Sequence, residues 1–171
     1  MKRFLFTMAL VFCLSGCDKI PVPLIIDWAP VNFYIKVIDA NGKDLLDPLN
    51  DNTWVIGTTL DFMGSKDTVD QARLDNIYQT KYYMPHFDGV RLIKSTSANV
   101  GYVLAFGEFD GADSYDNEKL TITWPDGESN TITYKRKFNL LHTDVAQQVY
   151  KLDGKECSNP IIIIKTIIKE K

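Results

Sequence analysis

The side chains most suited to metal binding are four carboxylates in one short acidic segment. They are Asp110, Asp113, Asp116 and Glu118. Calcium prefers clustered oxygen ligands, which carboxylates and backbone carbonyl groups supply. The spacing differs from the EF-hand pattern, whose alternating ligands end at a distant glutamate. Two interpretations therefore stay open, a calcium site and a solvated loop between strands, and we favour the loop.

An aromatic cluster around Pro85 is the second group of residues that could bind a ligand. Its aromatic members are Tyr82, Tyr83 and Phe87, with His86 between them. Exposed aromatic rings bind sugars by stacking against the apolar faces of the sugar rings, whereas most aromatic residues of a β-sandwich belong to its core. The segment is a glycan-binding candidate if these rings reach solvent, and we favour core packing.

Residue patterns typical of catalytic sites are missing from the sequence. His86 and His142 are far apart, and neither has the spacing of a zinc motif such as H-E-x-x-H. There is no G-x-S-x-G nucleophile elbow and no glycine-rich phosphate loop. Cys157 lacks a Cys-His signature and is expected to be a half-buried packing residue. Paired carboxylates of the glycosidase type cannot be picked out among so many acids. We therefore expect a protein that is not an enzyme and, calcium aside, has no cofactor.

The beginning of the chain has the pattern of a secretory signal peptide. Lys2 and Arg3 form a basic start, and an apolar run follows that contains no charged residue before Asp18. This run is shorter than the roughly 20 apolar residues that a membrane-spanning helix needs. A basic start followed by a short apolar stretch is typical of a leader that is removed from the mature protein.

The leader ends in Leu14-Ser15-Gly16-Cys17, which resembles the lipobox of bacterial lipoproteins. The resemblance implies that the leader is cut before Cys17, that the thiol receives a diacylglyceryl group, and that the new amine is acylated. Two or three acyl chains anchor a protein far more firmly than one chain does. We therefore expect a membrane-attached protein of the bacterial cell envelope, located at the outer membrane, and leave periplasmic or surface display open.

The composition favours an acidic body without disulfides. The formal net charge of the chain is −3, and it becomes about −5 when Lys2 and Arg3 leave with the leader. A mildly acidic surface argues against nucleic acid as a partner, because phosphates require basic patches. After cleavage, Cys157 is the only cysteine besides Cys17, so a disulfide framework is excluded.

Alternating apolar residues predict strands along most of the remaining chain. From Val31 to Val37 every second residue is apolar, as in a half-buried strand, and Asp39-Ala40-Asn41-Gly42 is predicted to be the turn that follows it. The segment 119–138 is predicted to be a β-hairpin, because two alternating runs flank Trp124-Pro125-Asp126-Gly127, a type I turn sequence. Trp124 shares the apolar face of the hairpin and is expected in the core. Arg136 is the exception, a charged residue on that same face.

The other predicted strands share the same short length and the same bounding turns. They cover residues 90–94, 100–109, 147–152 and 161–168, and the segment 54–63 contains a further one. Apolar residues on both faces of 100–109 predict a central strand. Residues 64–67 are predicted to be a turn, and residues 68–84, which mix helix and strand signals, are assigned to strand. With no convincing long helix, the pattern indicates an all-β, immunoglobulin-like antiparallel β-sandwich.

Several of these segments together resemble small envelope lipoproteins of Bacteroidetes-type bacteria. The features that carry the resemblance are the lipobox, the opening VNFYIKVIDANGKDLLD, the strand YVLAFGEFDG, the hairpin TITWPDGESNTIT and the closing isoleucine strand. The resemblance implies an envelope lipoprotein of β-sandwich type. It transfers no functional residue, because this family has no assigned activity. The expected organisation is a signal peptide at 1–16, a lipidated tether at 17–30 and a single domain at 31–171.

Two functions fit this organisation. The first is a noncatalytic, membrane-anchored protein that binds a protein partner or serves as an accessory subunit. The second is a glycan-binding lipoprotein that uses Tyr82, Tyr83 and Phe87. Exposure of these three rings separates the two hypotheses, because stacking on a sugar requires rings that reach solvent.

Overall fold

The computed structural model describes residues 31–76, 78–79, 89–109, 113–137 and 148–167. Strands dominate the regular structure in these ranges, so the all-β expectation is confirmed. The strands are β1 (Val31–Ile38), β2 (Thr59–Phe62), β3 (Ser65–Thr68), β4 (Tyr78–Gln79), β5 (Val90–Lys94), β6 (Tyr102–Phe109), β7 (Tyr115–Thr123), β8 (Ser129–Arg136), β9 (Gln148–Leu152), β10 (Lys155–Cys157) and β11 (Ile161–Ile164). The helix α1 (Gln71–Asp75) and two 3₁₀ turns (Pro48–Asn50 and Asn52–Val55) lie between strands. Within the described ranges, no helix has the length and apolar character needed to cross a membrane.

The strands form two sheets that pack face to face. Sheet A has the order β11-β1-β6-β5-β4, and sheet B has the order β10-β9-β8-β7-β2-β3. The inward side chains of both sheets belong to one buried cluster. In this cluster Phe33 of sheet A contacts Tyr134 and Tyr150 of sheet B edge to face, and Phe106 contacts Phe62 in the same way. The chain therefore has the two-layer arrangement of an all-β sandwich.

The burial of β1 and β6 follows the apolar pattern of the sequence. β1 buries every second residue from Val31 to Val37, as expected for a strand with one face on the core. β6 is buried on both of its faces. Its outer side chains Val103 and Ala105 form a smaller cluster with Ile93 of β5. The prediction of a central strand covered on both faces is confirmed.

The predicted hairpin is confirmed as β7 and β8, including its turn. Gly127 N donates to Trp124 O over 2.9 Å, which closes the four-residue turn. Gly127 has a φ of 85°, a left-handed conformation that glycine adopts without a steric cost. Trp124 is buried as predicted, and its indole N–H donates to Asn130 Oδ1 over 2.7 Å. Arg136 is buried too, on the same face of β8 as Tyr134.

β11 pairs with β1 in parallel. Ile161 lies opposite Ile35, and Ile163 lies opposite Val37. β4 and β5 are also parallel, so sheet A is mixed and not purely antiparallel as the sequence predicts. Parallel neighbours need a long connection, and the chain visits both sheets between β1 and β11. The strand predicted at 161–168 is confirmed for Ile161–Ile164.

Two local predictions are corrected by the structure, and a third is confirmed. Residues 71–75 form the helix α1 and not a strand, because the Asp70 carboxylate caps the first turn by accepting a hydrogen bond from Arg73 N over 2.9 Å. The segment 54–63, predicted to contain a strand, contains β2, and a 3₁₀ turn at Asn52–Val55 precedes it. Most of the predicted turn at 64–67 belongs instead to β3, which pairs with β2.

A partly buried ion pair, the Asp67–Arg73 pair, joins the edge of sheet B to sheet A. Asp67 Oδ2 on β3 accepts hydrogen bonds from Arg73 Nη1 and Val90 N, each over 2.5 Å. Arg73 Nη1 also donates to Val90 O over 2.7 Å. Gly89 lies so close to this pair that a Cβ atom there would overlap the Asp67 carboxylate. The pair therefore holds β3, α1 and β5 together.

Candidate functional site

Three of the four predicted calcium residues lie just before or on β7. Asp113 is exposed just before the strand, and Asp116 is exposed on it, with Lys135 Nζ 2.9 Å from its Oδ1. Glu118 follows on β7, while Asp110 lies outside the described residues. Within the described part of the chain, no three Asp, Glu, His or Cys side chains are placed to hold a metal ion. Because Asp110 is outside that part, the calcium site stays a prediction.

The other predicted site residues lie outside the described ranges. They are Cys17, the expected lipid acceptor, and the aromatic residues Tyr82, Tyr83 and Phe87. Lipidation and the aromatic patch therefore stay predictions. Cys157 is described, and it is half-buried against the core as expected. Burial raises the pKa of its thiol, which favours the protonated, unreactive form.

A cleft of about 370 Å³ brings together three segments that are distant in sequence. They are the turn after β1, the 3₁₀ turns and the residues that follow β11. Its lining includes Asp39, Lys43, Asn50, Asp51, Trp54 and Lys165. We call this site the Trp54 cleft. Its volume lies at the lower end of the range of small-molecule pockets, about 300–1,000 Å³.

Trp54 gives the cleft its aromatic wall, and its indole is fixed in place. The indole N–H donates to Leu45 O over 3.1 Å. The Trp54 ring also lies against Trp124, with ring centres 5.9 Å apart. Trp54 is half-buried, so only part of the indole is available to the cleft. Because the N–H is already bonded, what Trp54 offers a ligand is apolar ring surface.

Side-chain amides order the loop that carries Trp54. Asn50 Nδ2 donates to Asp44 O and Asn52 Nδ2 donates to Leu46 O, both over 2.8 Å. Asp44 in turn accepts a hydrogen bond from Tyr102 N over 2.9 Å, which ties the loop to the beginning of β6. Bonds of this kind satisfy backbone groups that a strand or helix would otherwise satisfy. The loop is therefore a fixed part of the cleft.

Asp39, in the turn after β1, also lines the cleft. Its Oδ1 accepts hydrogen bonds from Asn41 N and Lys43 N, both over 2.8 Å, in the turn that the sequence predicts after β1. The bond from Lys43 N contributes most to holding the pKa of Asp39 below its ordinary value. Asp39 is therefore an ionised hydrogen-bond acceptor with a fixed position.

Lys165 lies at the base of the cleft and exposes only 4% of its surface. Its Nζ is 2.6 Å from Asp126 Oδ2 and 2.7 Å from Glu128 Oε2, and it lies 5.5 Å from the centre of the Trp124 ring. We call these four residues the Lys165 cluster. Burial alone would lower the pKa of Lys165, but the two carboxylates together raise it above its ordinary value. The cluster ties the β7–β8 turn to the chain that follows β11.

A second cavity of about 310 Å³ lies on the outer side of sheet A. Tyr34, Ile93 and Val103 line it, and Asn159 forms part of its rim. Asn159 Nδ2 donates to Asn32 O over 2.7 Å, and Tyr34 N donates to Asn159 Oδ1 over 2.9 Å. None of its described lining side chains is charged, so it offers less polar recognition than the Trp54 cleft does.

The Trp54 cleft has no signal in the sequence. The sequence predicts a turn at Asp39, a strand segment that includes Trp54 and a strand that includes Lys165, and no local pattern relates the three. The turn around Asp39 was the one correct local signal. Only the three-dimensional structure shows that these segments meet.

Comparison with known proteins gave no match: no protein-family model, no curated protein and no solved structure matches this chain.

Proposed function

We propose that the protein is a noncatalytic, lipid-anchored component of the bacterial cell envelope, whose β-sandwich domain is a binding or accessory module. The observation that carries the proposal is the sequence Leu14-Ser15-Gly16-Cys17 at the end of a basic and then apolar leader. In the bacterial lipoproteins that this segment resembles, the cysteine thiol carries a diacylglyceryl group. Each buried methylene contributes about 0.8 kcal/mol, so two or three acyl chains give firm attachment.

The position of the first strand supports this proposal. The sequence assigns the segment 17–30, which directly precedes β1, to a tether between the proposed anchor and the β-sandwich. Pro21, Pro23 and Pro30 disfavour a helix in that segment. A non-helical tether lets the body lie away from the lipid surface and meet a partner.

We further propose that the sandwich is immunoglobulin-like and that the membrane is the outer membrane. Two sheets packed face to face, with mainly antiparallel pairing, support the first part. The resemblance to envelope lipoproteins of Bacteroidetes-type bacteria supports the second part.

The Trp54 cleft supports a binding role for the domain. It is concave, it has a fixed aromatic wall, and ionised and amide side chains surround that wall. A few polar groups that converge on apolar surface are typical of small-molecule sites. A protein partner bound elsewhere on the body is the alternative, and pull-down from solubilised membranes would recover it in constant proportion.

Mass spectrometry of the protein purified from bacterial membranes tests the anchoring. We expect a mature chain that begins at Cys17 and carries acyl groups. Cys17→Ala should release the protein from the membrane fraction, because no thiol remains to accept the lipid. Cys157→Ala is the matched control and should stay membrane-bound, since Cys157 packs against the folded core. A purified chain that still begins at Met1 and carries an unmodified Cys17 would contradict the proposal.

A further inference from the structure

We propose that the Trp54 cleft binds a neutral sugar, such as a hexose or N-acetylhexosamine unit of a glycan. This inference deepens the proposed binding role by naming the ligand class, and it rests on that role but not on the lipid anchor. It uses different residues from the aromatic patch around Pro85. Three properties of the cleft carry it: an aromatic wall, fixed polar groups and balanced charge.

The aromatic wall suits one face of a pyranose ring. A sugar ring presents C–H groups on its apolar face, and these pack well against an indole. Trp54 cannot contribute its N–H to a ligand, because that group already donates to Leu45 O. Its contact with Trp124 fixes the ring orientation before a ligand arrives. A ligand therefore meets a preformed stacking surface and loses little free energy in ordering it.

The polar rim suits the hydroxyl groups of the same ring. Hydroxyls donate hydrogen bonds to carboxylates and accept them from ammonium groups. Asp39 is an ionised acceptor held by two backbone N–H groups, and Lys43 in the same turn is an exposed donor. Asp51, which directly precedes the 3₁₀ turn that carries Trp54, also lines the cleft. Polar groups around an aromatic wall can therefore contact the edge of a stacked sugar.

The charges of the lining favour a neutral ligand. The lining contains two acidic residues, Asp39 and Asp51, and two basic residues, Lys43 and Lys165. Lys165 is already neutralised by Asp126 and Glu128, so it does not attract a further anion. A uronic acid or a phosphate would lie near two carboxylates with one available cation. The volume of about 370 Å³ further suits one or two sugar rings and not a long polymer.

Fluorine NMR of the full chain labelled with 5-fluorotryptophan tests the inference. The protein is prepared in a detergent without a sugar headgroup, because a glycosidic detergent would compete for the cleft. The resonances of Trp28, Trp54 and Trp124 are assigned with Trp54→Phe and Trp124→Phe. The probes are neutral hexoses, N-acetylhexosamines and their disaccharides, with glucuronic acid as the charged counterpart of glucose.

We expect at least one neutral probe to shift the Trp54 resonance saturably, with a Kd below about 1 mM. Glucuronic acid should bind at least about threefold more weakly than glucose. Trp54→Phe removes this reporter, so its affinity is measured by isothermal titration calorimetry, and it should be about tenfold weaker because the smaller ring offers less stacking surface. Asp39→Asn keeps an oxygen that can hold the turn but removes the charge, and it should also weaken binding. Met63→Ala, an exposed residue outside the cleft lining, is the matched control and should bind normally.

Other results would overturn the inference. It fails if no neutral probe moves the Trp54 resonance, or if glucuronic acid binds as tightly as glucose does. It also fails if Trp54→Phe and Asp39→Asn, both folded, bind like the unaltered chain. If Trp54→Phe does not fold, Asp39→Asn and Met63→Ala still decide the question. Failure here leaves lipidation at Cys17 untouched, and an unlipidated Cys17 leaves the sugar titration valid, so the two proposals fail separately.

Discussion

The buried ammonium group of Lys165 needs its ion pairs more than the exposed carboxylates of Asp126 and Glu128 do. Its ammonium group is buried, whereas the side chains of Asp126 and Glu128 keep 46% and 75% of their surface exposed. A buried charge without a partner costs free energy, while an exposed carboxylate without a partner is solvated by water. Removing the cation and removing the anions should therefore have unequal effects.

Two variants measure this asymmetry. Lys165→Met keeps the apolar stem and removes the charge, so we expect it to lower the free energy of unfolding by less than about 1 kcal/mol. Asp126→Asn combined with Glu128→Gln leaves the buried ammonium without a counter-charge and should cost about 2 kcal/mol. Urea denaturation at neutral pH gives both values. Equal losses of unfolding free energy, or a larger loss for Lys165→Met, would show that the buried ammonium group does not require its two carboxylate partners.

The same cluster predicts how stability changes in acid. The hydrogen bond from Lys165 contributes most to holding the pKa of Asp126 below its ordinary value. A carboxylate whose pKa is lower in the folded state stabilises the fold above its ordinary pKa, and this contribution disappears as the pH falls through the folded value. The difference in unfolding free energy between the unaltered chain and Asp126→Asn should therefore be constant from about pH 5 to 8 and shrink below about pH 4. Urea titrations across this range measure it.

An exposed acid provides the control for that measurement. Glu156 is exposed on β10, so the stability difference for Glu156→Gln should change little over the same pH range. A difference for Asp126→Asn that stays constant down to pH 2 would mean that the ion pair with Lys165 does not stabilise the fold.

Single residues were predictable from sequence where their role depends on local alternation. Trp124 lies on the apolar face of an alternating run, and the structure buries it. Trp54 and Lys165 take their roles from partners elsewhere in the chain. Glu128 lies 37 positions before Lys165, and no local pattern in the sequence pairs them. This is why the sequence predicts core residues but not the cleft.

At the scale of structural elements, Gly127 and Gly89 share a left-handed backbone conformation but differ in the space available to a Cβ atom. Gly127 in the β7–β8 turn has a φ of 85°, and nothing lies within 4 Å of where its Cβ would be. Gly89 has a φ of 76°, and its Cβ would overlap the Asp67–Arg73 pair. The pair cannot move away freely, since Asp67 is also bonded to Val90 N. Substitution at the two positions therefore separates backbone strain from crowding.

We expect Gly127→Ala to lower the free energy of unfolding by about 1–2 kcal/mol, the usual cost of a left-handed alanine. Gly89→Ala should cost at least about 1 kcal/mol more, because it also displaces a charged hydrogen bond. Urea denaturation compares the two variants directly. If the two variants lose equal unfolding free energy, the Asp67–Arg73 pair does not hold β3 against β5.

Adjacent isoleucines test the register of β11. Ile163 faces the core and exposes 3% of its surface, whereas Ile162 exposes 51%. Ile163→Ala should lower the free energy of unfolding by about 3 kcal/mol, since it leaves a cavity in the core. Ile162→Ala is the matched control and should cost less than about 1 kcal/mol. A larger loss for Ile162→Ala would place the opposite face of β11 on the core.

The elements that could be predicted are those whose signals lie within a few residues. The β7–β8 hairpin has two alternating runs and a proline-glycine turn, so both its strands and its turn are as predicted. The helix α1 has only five residues, too few to display a helical period clearly. Its clearest local signal is the capping residue Asp70, whose carboxylate accepts a hydrogen bond from Arg73 N.

For the whole molecule, composition and periodicity were enough to predict the class of fold but not the order of strands. Alternating apolar runs with frequent turn signals indicate two packed β layers, and the structure has two such layers. The parallel pairing of β1 and β11 could not be foreseen, since it joins residues from the two ends of the domain. The Trp54 cleft depends on that pairing, because it brings the residues after β11 beside the turn after β1.

The position of β1 between β6 and β11 also has a mechanical consequence. A chain pulled through residue 31 transmits the load along the axis of β1. The hydrogen bonds to both neighbours then bear the force together in shear, since they run across the strand, whereas a strand peeled from an edge would release them one by one. A domain that is attached through the residues before β1 can therefore resist a pulling force that would open a hairpin at the end of a chain.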